Sequence, residues 1–208
     1  MALVKYNNNS ISAVTSAASI PSGAMTHIKT LEADGSGIAL TFHHGSSGVV
    51  FDSTYPIYVF KFINIHPATD GADLVWQCNA TGGSGFNETI TSTFWDAYHS
   101  EGGAGASLRY LTDYDQAQGT AYQYMTNAIG NDNDKNLSGT MYFFNPSSTT
   151  FVKHFMHTIN TITGDNYSEN QFGAGYVNTT SAIDEIQFKI NSGNFDAGKI
   201  KLYGIKDS

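Results

Sequence analysis

The 208-residue chain is long enough for one sizeable all-β domain, with a core that hides well over half of the unfolded surface. Only 13% of its residues are Asp, Glu, Lys or Arg, against about 25% in an average soluble domain, and 18 acids against 10 bases leave a net charge of −8. Arg109 is the lone arginine and no basic cluster occurs, which disfavours nucleic-acid binding; Cys78 is the lone cysteine, which excludes an intrachain disulfide and a several-cysteine zinc site.

The lead-in, residues 1–23 (MALVKYNNNSISAVTSAASIPSG), is rich in Ser, Ala and Asn and offers little to bury. It reads as an arm or linker, without an apolar run of signal-peptide length. No stretch of the chain is apolar enough to cross a bilayer as a helix, and the expectation is a protein folded in a cytoplasm with no membrane insertion. Asn-X-Ser/Thr triplets at Asn79, Asn87, Asn136 and Asn178 then follow from an Asn- and Thr-rich composition, without glycans.

Strand signals begin with AMTHIKTL (24–31) and GIALTFHH (37–44), joined through Ala33-Asp34-Gly35-Ser36. YPIYVFKFINIHP (55–67) is the strongest segment. Strict alternation puts Tyr55, Ile57, Val59, Ile63 and Ile65 on one face and Tyr58, Phe60 and Phe62 on the other, the mark of a central strand covered on both sides. ADLVWQCNA (72–80) follows the turn Thr69-Asp70-Gly71. The middle third is expected to be less regular, with ASLRYL (106–111) as a candidate strand within it. DQAQGTAYQYMTNAI (115–129) reads equally as a short helix or a loop, because Gly119 costs about 1 kcal/mol in a helix interior.

Beyond it, GTMYFFN (139–145), FGAGYVN (172–178), DEIQFKI (184–190) and GKIKLYGI (198–205) read as strands. FVKHFMHTINTI (151–162) has both helical spacing and β-branched content, and its neighbours favour a strand. The sum is a two-sheet antiparallel β-sandwich, of jelly-roll type, occupying residues 24–208 behind the arm.

Motifs for chemistry are sparse. GSSGV (45–49) and GGSGF (82–86) lack the last glycine of a nucleophile elbow and read as turns, and no phosphate-cradling loop occurs. In NDNDKN (131–136), Asp132, Asp134 and Asn136 carry the alternate-oxygen opening of a calcium loop, but Leu137 stands where glycine is needed and Phe143 where a bidentate Glu belongs. A solvated acidic turn is the better reading. On a strand, His43-His44 and His154/His157 face opposite sides and chelate nothing. Loop acids such as Asp96 and Glu101 are plentiful, yet none is singled out as a pair for glycan hydrolysis. No cofactor is expected. Trp95 and Tyr98, with Tyr122 and Tyr124, are the candidate glycan contacts, because aromatic faces stack on sugar rings; core or subunit-interface packing is the rival reading.

FDSTYPIYVFKFINIHPATDGADLVWQ (51–77), LSGTMYFFNPSSTTFVKHF (137–155) and GYVNTTSAIDEIQFKINSGNFDAGKIKLYGI (175–205), in that order behind the Ser/Ala/Asn-rich lead-in, resemble virion structural proteins of tailed bacteriophages of marine type. The resemblance implies a non-enzymatic β-sandwich residing in the virion. Its role there would be tail-fibre-like or attachment, or alternatively capsid decoration. Other virion proteins are the implied partners, with a homo-oligomer, a trimer by symmetry, and a host surface glycan as further expectations. A free lectin-like glycan-binding module is the rival outside that class.

Overall fold

The computed structural model describes residues 24–207, so the expected arm at 1–23 lies outside the described residues. The described chain is all strand and loop. Its elements are β1 (Met25–Glu32), β2 (Ala39–His43), β3 (Ile57–Pro67), β4 (Leu74–Ala80), β5 (Ile90–Ser100), β6 (Ala106–Tyr110), β7 (Ala117–Gly119), β8 (Gln123–Tyr124), β9 (Leu137–Phe144), β10 (Lys153–Ile162), β11 (Tyr167–Val177), β12 (Ile183–Ile190) and β13 (Phe195–Ile205). A nine-stranded sheet runs β1-β13-β3-β9-β10-β11-β5-β6, with β7 also paired to β5; a four-stranded sheet runs β2-β12-β4-β8. Every strand pair is antiparallel. The last strand is thus an interior one, held between β1 and β3.

Aromatic side chains join the two sheets. Phe188 of β12 lies edge-on to Phe60 and Phe62 of β3, with ring centroids 5.0 and 5.1 Å apart. Trp76 of β4 meets Phe143 of β9 at 5.8 Å and Phe155 of β10 at 4.8 Å. All are essentially inaccessible to water, and burying each such side chain stabilises the fold by roughly 1.5–3 kcal/mol. β4 is buried along its whole length, because loops cover the face turned away from the core: the Gln77 amide donates to the carbonyls of Glu88 and Ala121.

The ambiguous 151–162 segment is a strand. Lys153, Phe155, His157, Ile159 and Thr161 are buried, while His154, Met156, Thr158 and Asn160 between them are exposed, a period of two that no helix produces. His154 and His157 do face opposite ways. His157 lies over Gly173, its cross-strand partner; a Cβ at Gly173 would meet the imidazole at 2.2 Å.

Two expectations are corrected. Ile65 does not share a face with Ile63. Asn64 adopts φ +51° and the register of β3 against β9 slips between Phe62 and Ile65, so a bulge turns Ile65 inward beside Phe62. Asn tolerates this left-handed backbone, and Gly198 opposite admits it, since a Cβ there would stand 2.4 Å from the Asn64 carbonyl. The second correction concerns the middle third. It contains β5, one of the longest strands, and the 115–129 segment holds no helix but the short strands β7 and β8 in an otherwise irregular cover.

Candidate functional site

The nine-stranded sheet is wider than its partner. The inward faces of β11, β5 and β6 extend beyond the four-stranded sheet, and the segment 111–131 closes over them through polar contacts. Ser92 Oγ donates to Gln123 Oε1 at 2.6 Å, Tyr114 Oη to Asn127 Oδ1 at 2.8 Å, and the Ala128 amide to Asp73 Oδ1 at 2.7 Å. Ile129 bridges Ala72 on one side and Thr163 on the other.

Strand register assembles the cluster beneath this cover. Asp96 of β5 stands opposite Arg109 of β6 and Gln171 of β11, and Tyr98 opposite Glu169. Arg109 grips Asp96 with two bonds, Nε to Oδ1 at 3.0 Å and Nη2 to Oδ2 at 2.5 Å, and the same Nη2 reaches Glu169 Oε1 at 3.2 Å. Glu169 Oε2 accepts from Gln171 at 2.9 Å and Asn127 at 3.4 Å. The guanidinium also lies 4.4 Å from the centre of the Tyr98 ring. Asp96 is fully buried and Glu169 nearly so. Burial, and secondarily the Asp96 charge, push the Glu169 carboxyl above its usual range, while the bond to Asp96 pushes the Arg109 guanidinium further up.

Above the cluster opens a cleft of about 290 Å³, lined by Tyr98, Arg109, Asn127, Thr163, Asp165, Tyr167 and Glu169. Rings, a cation, an amide, a hydroxyl and carboxylates converge there. That mixture suits a ligand rich in hydroxyls, which can donate to the carboxylates and accept from Arg109 and Asn127.

The candidate glycan residues do not form one platform. Trp95 and Tyr98 lie three apart on a strand and so face opposite sides of the sheet. Tyr98 lines the cleft, whereas Trp95 stacks on Phe172 on the outer face, with centroids 4.0 Å apart and planes 11° from parallel. Tyr122 donates to Gln187 on the four-stranded sheet, with the Lys189 ammonium 5.3 Å over its ring. Tyr124 packs edge-on against Tyr114 at 4.7 Å, within the cover.

Asp132, Asp134 and Asn136 form no ligand set. The Lys135 ammonium occupies Asp132 Oδ2 at 2.7 Å and the Gly164 carbonyl at 2.8 Å. Among the described residues no group of three or more His, Cys, Asp or Glu side chains is placed to hold a metal ion.

Sequence reasoning named Asp96 only as one of many loop acids, and Arg109, Glu169 and Tyr167 not at all as site residues. Glu169 and Tyr167 lie before the expected start of their strand. Asp96 and Arg109 become legible only once β5 and β6 are paired in register. Comparison with known protein families, curated proteins and solved structures finds no match to the chain.

Proposed function

We propose that the chain is a non-enzymatic structural component of a tailed-phage virion, tail-fibre-like or attachment in role, whose sandwich is a rigid body and whose cleft contacts a host surface glycan. Omitting β5–β7, β10 and β11, the eight remaining strands, numbered afresh in chain order, lie 1-8-3-6 in one sheet and 2-7-4-5 in the other. We read that frame as a jelly roll, a common architecture of capsid and lectin domains. The segments that resemble phage structural proteins, 51–77, 137–155 and 175–205, fall mainly on this frame.

One observation carries the binding reading over turnover. All carboxylate oxygens of Glu169, the buried acid that lines the cleft, and of Asp96 beneath it are engaged by Arg109, Gln171 or Asn127. The remaining lining acid, Asp165, is solvent-exposed, and no buried carboxylate in the lining is left free to partner it. A general acid or nucleophile needs a carboxylate free to exchange a proton or attack; a carboxylate pair clamped by one guanidinium shapes a surface instead. Mass spectrometry of purified particles tests the virion assignment: the chain should be present at a copy number consistent with symmetric assembly, and its absence would overturn the proposal. Glycan-array binding lost in Tyr98→Ala at unchanged melting temperature is the expected result for the cleft, whereas product release from any glycan would overturn the non-enzymatic reading.

A further inference from the structure

The outer face of the nine-stranded sheet differs in charge from the rest of this acidic protein. Along β1, β13, β3, β9, β10, β11, β5 and β6, the regular outward positions carry Lys61, Lys199 and Lys201 but one acid, Glu32, which pairs with Lys199 at 3.2 Å. Asp196, at the bulged start of β13, lies 3.2 Å from the His66 ring. Lys61 and Lys201 make no ion pair among the described residues, although the chain's net charge is −8. They are direct cross-strand neighbours, an arrangement of like charges that opposes folding.

The lysines begin a continuous transverse row. Register places Lys201 beside Lys61, Lys61 beside Thr140, Thr140 beside Thr158, Thr158 beside Phe172, and Phe172 beside Trp95. Cross-strand partners share a face, so two ammonium groups, two hydroxyls and two stacked rings lie in line across neighbouring strands, over roughly 24 Å at about 4.8 Å per strand spacing. A shallow groove of about 280 Å³ runs between Trp95, Phe172, Thr158 and Thr140, walled by Met156 and Tyr142. Trp95 is 38% exposed, its flat stack on Phe172 open to solvent.

From this row we infer that the outer face is a binding strip for an acidic polysaccharide. The rings take the apolar faces of sugar units, the threonines meet hydroxyls, and Lys61 with Lys201 meets carboxylates. A polymer supplies these groups repeatedly along one line, as the row requires. Two-fold self-association about an axis along the strip would set lysine against lysine, whereas an anionic chain neutralises both lysines in any register. The inference needs only the sandwich; particles lacking this chain would leave it standing.

The test passes the full-length chain over immobilised polygalacturonate and, in parallel, immobilised neutral dextran, with a melting temperature for every variant. Wild type is expected to be retained on polygalacturonate alone and released by salt. Lys201→Glu should weaken retention about tenfold while raising the melting temperature, because it replaces a like-charge cross-strand pair by an opposite one. Lys61→Ala should weaken retention without that rise. Trp95→Ala should weaken it about tenfold with an unchanged salt dependence. Lys189→Glu, a charge reversal on the four-stranded sheet, should leave retention unaffected. The inference is overturned by equal retention on both columns, by no retention, by retention that survives Lys201→Glu, or by retention that falls equally in Lys189→Glu. It is also overturned if the strip variants abolish a self-association of wild type that shows no polygalacturonate binding.

Discussion

The eight-strand frame and the overhang built by β5, β6 and β11 are held together by different physics. Frame strands meet across a dry interior of Phe, Ile, Leu and Trp side chains, where contact is non-directional and cooperative. Beneath the overhang lie Asp96, Glu169, Gln171, Gln123 and Ser92, all buried and held by directional bonds. An apolar interior tolerates small adjustments. A buried polar one does not, because a group that loses its partner keeps the full cost of leaving water. The overhang is therefore the place where the fold can host a cleft, and the place where single changes act locally.

The predictions press on that contrast. Trp76→Ala should have the largest effect, about 3–5 kcal/mol, because it empties the contact with Phe143 inside the frame and with Phe155 of the adjoining β10. Denaturant unfolding should show one lowered transition in which both regions unfold together. Asp96→Ala should cost about 3 kcal/mol, since it removes the carboxylate that takes two of Arg109's bonds and leaves the guanidinium with Glu169 alone.

His157 links the two regions and adds a pH dependence. Burial lowers its pKa from the ordinary 6.5 to about 3, so the folded protein stays unprotonated at this site where the unfolded chain takes up a proton. The unfolded state binds more protons between those values, so this term weakens stability as pH falls through that window, by at most about 1.4 kcal/mol per unit. Asp73 acts in the opposite sense. Burial raises its pKa to about 6, so its unfavourable ionisation is relieved as pH falls from 6 toward the ordinary 3.8. Urea melts from pH 7 to 4 should therefore show His157→Met losing less stability on acidification than wild type; parallel curves would remove His157 from the account. The smallest effect is expected from Asn64→Ala, about 1 kcal/mol from the strained backbone at the bulge, with Asn64→Gly close to neutral.

The same contrast governs what the sequence makes legible. Alternation read correctly in DEIQFKI and KIKLY because one face of each strand meets the apolar core. It resolved 151–162 only by neighbourhood, since Phe151, Phe155 and Ile159, each four apart, satisfy both periods. β5 escaped because its inward positions include Ser92, Asp96 and Ser100, so the polar interior erased the hydrophobic period even though Thr, Phe and Trp favour a strand. The pairing of Trp95 with Tyr98 failed for the same reason: taken as a loop, the segment hid the rule that residues three apart on a strand diverge. The Asn64 bulge left no mark beyond an asparagine in an apolar run.

Native-state hydrogen exchange on Asp96→Ala tests the division between frame and overhang most directly. Amide protection should fall most in β5, β6, β11 and the 111–131 cover, which open locally, while β3, β4, β12 and β13 lose no more than the mutant's overall destabilisation. A loss equal across all strands would contradict the account, because it would mean that the buried ion cluster opens only when the apolar core unfolds.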